Sequence, residues 1–154
     1  MPLIDIETFV EADIYSCFDL ARNIDFHQAS LEHSNEKAIA GKTTGLIELG
    51  EWVTWEAKHF GITQQLTSKI TEFDRPNYFT DEMVSGAFKS FKHEHRFISK
   101  GSGTLIRDKF YFQSPYGIFG KLANILFLKR YMKHLLETRN AFLKEKAEEL
   151  SHIS

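Results

Sequence analysis

Two histidines two positions apart, His93 and His95, stand in the run FKHEHRF, and an acid, Asp108, falls in a second alternating run beyond a short turn. On a strand, residues i and i+2 face the same way, so both imidazoles lie on one face about 7 Å apart. Such a set could bind a metal, with Asp108 or His59 as a further ligand. A dependable site needs at least three assured ligands, however, and no cysteine or second histidine cluster sits nearby. Cavity-wall histidines hydrogen-bonded to acids and water are therefore the preferred reading, and no metal is assigned. The second chemistry is acid–base. A histidine beside Asp108 titrates near working pH and could abstract a proton from the acidic carbon of a ketone or polyketide. A buried pair that only fixes strand register is preferred over catalysis, and no residue is assigned as catalytic. The Lys100-Gly101-Ser102-Gly103 turn sets position 108 opposite about position 95, which makes His95–Asp108 the leading contact, with His93 next along the face.

Positioning these groups takes strands. Leu3 to Val10 alternates as a first strand with an apolar face. Asp13 caps a short helix whose stripe is Ile14, Cys17, Phe18 and Ala21, and Cys17 has no basic neighbour at helical spacing to lower its pKa, so it reads as a core thiol. A second short helix covers Asp25 to Leu31 and carries His27, given a surface or packing role. Residues 36–45 form a weak strand or a loop, and Gly50 suggests a hairpin turn. Val53, Trp55, Ala57 and His59 share the inward face of a strand over 51–60. After the turn Phe60-Gly61-Ile62 the chain returns with Leu66, Ser68 and Ile70 on one face. Asp74-Arg75-Pro76-Asn77 is a turn. Phe79, Asp81 and Met83 then share a face until Gly86. From Phe88 to Lys100 the set Phe91, His93, His95 and Phe97 faces inward, opposite the charged Lys92, Glu94 and Arg96. Thr104, Ile106, Asp108, Phe110 and Phe112 form the matching face of the next strand, which Pro115 ends.

From about Ile118 to Glu149, Ile118, Leu122, Ile125, Leu128, Met132, Leu135, Phe142 and Leu143 keep helical spacing, so one long helix must cross the sheet. Its basic side, Lys121, Lys129, Arg130, Lys133 and His134, reads as a solvated face in preference to a membrane or acidic-partner surface.

Composition narrows the function classes. The 154 residues suit one domain spanning 1–154, and 42% apolar with 26% charged residues is globular rather than disordered. Fourteen phenylalanines call for an aromatic core or an aromatic-lined cavity. A net charge of −2 gives no electrostatic case for nucleic acid. One cysteine and an acidic, alternating N-terminus point to the cytoplasm. The longest apolar run, Leu122 to Leu128, falls far short of the roughly 20 residues that span a bilayer, so no stable membrane insertion is expected.

The order strand, two short helices, about six to seven antiparallel strands and one long C-terminal helix resembles the α+β helix-grip fold of the START-like, or SRPBCC, superfamily. More narrowly, the segments GKTTGLIELGEWVTWEAKHFG, FTDEMVSGAFKSFKHEHRF and GTLIRDKFYFQSPYGIFGKLANILFLKRYM resemble its polyketide cyclase/dehydrase or ligand-binding subgroup. The resemblance rests on Val53, Thr54, Trp55, Ala57, His59, Phe60 and Gly61; on Phe79, Asp81, Gly86 and Phe88; on His93, His95 and Phe97; and on Gly103, Thr104, Asp108, Pro115 and Gly117. Met83 stands where the subgroup has glutamine, and Phe112 where it has tyrosine.

What the resemblance implies is a cavity between a curved sheet and the long helix, used across the superfamily for lipids, sterols, polyketides and hormones. The expected function is binding of a hydrophobic small molecule of lipid, polyketide or aromatic type. The expected contacts are Trp55, His59, Asp81, Met83, Phe91, His93, His95, Asp108, Phe110 and Phe112, with no cofactor. The missing Gln and Tyr favour a more apolar ligand. The alternative is a cyclase or dehydratase in which His95 with Asp108 abstracts a proton while His59 or His93 polarises a carbonyl. Whether the chain is an enzyme stays open at this point, as does its oligomeric state.

Overall fold

The computed structural model describes residues 3–59, 61–86, 88–113 and 121–153. Strand β1 (Leu3–Val10) leads into helices α1 (Ile14–Ala21) and α2 (Ile24–Ser30) and a short 3-10 turn, Glu32–Ser34. Six more strands follow: β2 (Lys37–Gly41), β3 (Trp52–His59), β4 (Ile62–Asp74), β5 (Tyr78–Ser85), β6 (Ser90–Lys100) and β7 (Gly103–Gln113). Helix α3 (Lys121–Ile153) completes the order. All seven strands join one antiparallel sheet, ordered β1-β7-β6-β5-β4-β3-β2, so the first strand closes against the last. This is the α+β helix-grip architecture expected from the order of elements: a curved sheet that α3 crosses.

Local chemistry explains most boundaries. The Asp13 carboxylate accepts from the Ser16 amide at 2.9 Å and starts α1, whose buried stripe is Cys17, Phe18 and Ala21. Helix α2 begins earlier than expected, because Asn23 caps it by accepting from the Phe26 amide at 3.0 Å. Residues 37–41 resolve as strand β2, paired with β3. Strand β6 starts at Ser90 and not at Phe88, whose ring leaves the ladder to pack on Phe91, Phe110 and Phe112. In α3 the buried stripe runs through Leu135, Leu136, Leu143 and Ala147, while Phe142, expected in it, is 40% exposed and only edges against Phe26. Lys129, Arg130, Lys133 and His134 are exposed, as a solvated face requires. The expected strand end at Pro115, the helix start at Ile118 and the motif positions Phe60 and Gly117 lie outside the described residues, and the stripe positions Leu122 and Ile125 and the basic position Lys121 lie outside the described side chains.

Two apolar clusters pack between sheet and helices. In one, Phe18 of α1 receives Phe73, Phe79 and Phe97 edge-on, with centroids 5.2 to 5.4 Å away. The other gathers Ile4, Ile6, Phe91, Phe110, Phe112 and Leu136. Cys17 is fully buried in the first, and burial pushes its thiol up to about 11, which makes it a core group and not a nucleophile at neutral pH. No helix among the described residues is long and apolar enough to cross a bilayer.

Candidate functional site

A polar cluster lies in the middle of the sheet, on β5, β6 and β7. The pairing of these strands sets Asp81 opposite His93 and Phe79 opposite His95, and on the other side His95 opposite Asp108. Register thus places His95 beside Asp108 as the turn at residues 100–103 requires. The hydrogen bonds, however, run diagonally. His93 donates through Nε2 to Asp108 Oδ1 at 2.8 Å, and His95 donates through Nε2 to Asp81 Oδ2 at 2.8 Å. His95 Nδ1 comes within 3.2 Å of Asp108 Oδ1 but is not aligned for a hydrogen bond. The reason is ring stacking: Phe79, His95 and His93 form a column with centroid spacings of 4.1 and 3.7 Å, which tilts each imidazole toward its neighbour's acid.

Helix α3 supplies the rest. Asn140 donates to Asp108 Oδ2 at 2.6 Å and to the Thr8 hydroxyl at 3.2 Å. Arg139 donates to the Ala21 carbonyl at 2.9 Å and brings Nη1 within 3.9 Å of Asp108 Oδ1. Neither residue was singled out from the sequence. The signal was nonetheless there: both sit four positions after the buried leucines Leu135 and Leu136, where an arginine or asparagine must find a buried partner.

Burial works against the Asp108 carboxylate, but the His93 hydrogen bond and the close approach of His95 outweigh it and hold the carboxyl well below its ordinary range. Asp81 is likewise lowered: burial opposes it and His95 prevails. The histidines split. Burial first, then the neighbouring His95 charge, pushes His93 down to about 4. For His95 burial is outweighed by Asp108 and Asp81 together, and its pKa is raised. The cluster therefore sets two carboxylates beside one histidine pushed toward its neutral form and one whose protonated form the two acids favour.

Beside this cluster a cavity of about 300 Å³ opens between sheet and α3. Of the expected contact residues, Trp55, His59, Asp81, Phe91, His93, His95 and Phe110 line it. Met83 instead packs against the second apolar cluster, Phe112 is fully buried in that cluster, and Asp108 lies behind the histidines at 1% exposure. Across the cavity stand Leu128, Tyr131, Met132, Leu135 and Leu136 of α3. His59 Nδ1 and the Tyr131 hydroxyl form a hydrogen bond that ties the end of β3 to the helix. His27, taken for a surface or packing residue, also lines the cavity, with its ring 4.4 Å from that of Trp55 and its Nε2 3.2 Å from Glu36.

Among the described residues, those able to hold a metal are Asp81, His93 and His95, which offer one ligand atom each, all within 4.8 Å of one another. Their charges are already matched. Asp81 and Asp108 face His95 and Arg139, and each Nε2 is committed to a carboxylate, so an ion on either Nε2 would have to displace a hydrogen bond.

Neither a protein-family model nor a curated protein matches the sequence. Solved structures share the fold. The Thermus thermophilus protein TTHA0849 superposes with a TM-score of 0.79 at 18% identity, covering 97% of this chain and 99% of that one. Ginseng major latex-like protein 151 from Panax ginseng gives 0.67 at 14%, covering 95% and 97%. The di-domain ARO/CYC StfQ of the steffimycin biosynthetic pathway gives 0.74 at 11%, covering 97% of this chain and 51% of that one.

Proposed function

The chain has the helix-grip fold of the START-like superfamily, and from that premise we propose that residues 1–154 act as one binding domain that holds a hydrophobic small molecule between the sheet and α3. The observation that carries this reading is the cavity of about 300 Å³, at the lower end of the range for small-molecule sites. Its wall combines apolar faces, from Trp55, Leu66, Met132 and Leu135, with a few convergent polar groups. Trp55, Phe91 and Phe110 offer rings to a flat or aliphatic body, and Asp81, His93 and His95 orient its polar end. Met83, Phe112 and Asp108 act from behind, by setting the shape of the wall and the charge of the histidines. The partner is a small molecule and not nucleic acid, and the single buried cysteine accords with a cytoplasmic location.

The cyclase or dehydratase alternative needs His95 as a base. The two acids flanking His95 favour its protonated form, while His93 at about 4 is a weak base. A general base needs a ring nitrogen free to face its substrate, whereas His95 commits Nε2 to Asp81 and buries Nδ1 against Asp108, and His93 commits Nε2 to Asp108. Binding is therefore the better supported of the two.

Native mass spectrometry of the protein purified from cells tests the reading. A non-covalent small-molecule adduct is expected, lost when Met132→Trp fills the cavity. A protein that carries no adduct and takes up no N-phenylnaphthylamine, an uncharged apolar fluorescent probe, would refute it.

A further inference from the structure

The cavity wall carries both signs of charge, and among the described residues every arginine on it is already engaged. Arg22 donates to Asp19 at 2.9 Å and to the Ile47 carbonyl at 3.1 Å. Arg139 is held by the Ala21 carbonyl and faces Asp108, and its Nε is buried out of reach. His95 spends its Nε2 proton on Asp81, and His27 lies against Glu36. The acceptors are in the opposite situation. Asp81 uses only Oδ2 for His95, and its side chain keeps 18% exposure, enough to be reached from the cavity it lines. Glu36 uses only Oε1 for His27.

An entering carboxylate or phosphate would find Arg22, His95 and Arg139 each already facing an acid of the protein, with the unpartnered nitrogens of His95 and Arg139 buried, and would add a negative charge to a cluster in which Asp81 and Asp108 already oppose His95 and Arg139. An unmatched ion in a water-poor site is strongly disfavoured. A hydroxyl, by contrast, can donate to the ionised Asp81, and hydrogen bonds to charged groups are the strong ones.

Resting on the binding reading above, we propose that the cavity selects neutral amphiphiles bearing an O–H donor, such as long-chain alcohols or phenols, which donate to Asp81 Oδ1, and rejects acids and phosphate-headed lipids. Asp81 is the specificity-determining residue, and His95 positions it.

Displacement of N-phenylnaphthylamine from the full chain at about pH 8 by three matched ligands, decanol, methyl decanoate and decanoate, tests this. Decanol is expected to displace the probe at a concentration at least about tenfold lower than either of the others, the worth of one charge-assisted hydrogen bond. Asp81→Asn should shrink the decanol preference, read as the ratio of displacing concentrations within the variant, to within about threefold. Decanoate binding as tightly as decanol, methyl decanoate doing so, or an unaltered preference in a folded Asp81→Asn would each overturn the proposal. If Asp81→Asn does not fold, the wild-type ratios decide. A wild-type protein that fails to bind the probe at all overturns the binding reading, and this proposal with it.

Discussion

His93 should make the protein lose stability in mild acid, well above the pH at which carboxylates titrate. Burial, followed by the His95 charge, lowers its pKa from 6.5 to about 4 in the folded chain. In the unfolded chain it titrates near about 6.5. As pH falls through that window the unfolded state takes up a proton that the native state refuses, so stability falls with pH. A shift of about 2.5 units corresponds to about 3 kcal/mol, of which about 2 is lost by about pH 5. With His93 only 5% exposed, solvent screening removes little of this. His95 has the opposite sign: its folded pKa is raised, so its contribution is complete below about 6.5 and is lost as pH rises through the folded value. Asp81 and Asp108 are lowered, so theirs is complete above about 4 and is lost in stronger acid. His59, lowered by burial, acts in the same direction as His93, which is why a variant is needed to isolate the effect. Urea unfolding of wild type and His93→Gln at intervals from about pH 4.5 to 7 makes the comparison. The wild type should lose about 2 to 3 kcal/mol and the variant should lose that much less. Parallel stability curves for the two proteins would refute the assignment of His93 as a buried neutral imidazole.

Asn140→Ala removes the 2.6 Å donor from the buried Asp108 and should cost about 1–3 kcal/mol in chemical denaturation. Because Asn140 is not on the cavity wall, probe affinity should stay unchanged. Phe18→Ala deletes the ring on which three others pack edge-on and should cost about 3–5 kcal/mol by the same method, whereas a loss below about 1 would mean that the cluster repacks. Gly41 adopts φ +75, and a Cβ there would sit 2.4 Å from the Trp52 carbonyl oxygen. Gly41→Ala should therefore lower the melting temperature by several degrees, from about 1–2 kcal/mol of left-handed strain plus displacement of β3.

Much of the framework was legible along the chain because strands and helices declare themselves by local period. The alternation of β6 and β7 has a period of two residues, so Phe91, His93, His95 and Phe97 had to share a face with Thr104, Ile106, Asp108, Phe110 and Phe112, and the four-residue turn between them set the register. The same reasoning placed Cys17 and Phe18 on the buried side of α1. It failed where a side chain outside the element decides the boundary, as when Asn23 starts α2 one residue ahead of Asp25, or where a ring such as Phe88 gains more from packing than from extending a ladder.

The polar cluster shows the division most clearly. That His95 lies opposite Asp108, and that an inward acid must find a donor, followed from spacing and desolvation alone. That His95 bonds Asp81 while Asp108 takes His93, Asn140 and the approach of Arg139 did not, since ring stacking across three strands and a helix more than 30 positions away in sequence settle it. The outcome reverses the chemistry a histidine pair suggests, because pKa depends on the full set of charges around each ring and not on its own strand. Sequence alone determined which residues face the cavity side of the sheet. Only the tertiary structure decided that the wall's arginines are spent on protein acceptors while an acceptor oxygen of Asp81 remains, because charge balance is a property of neighbours in space.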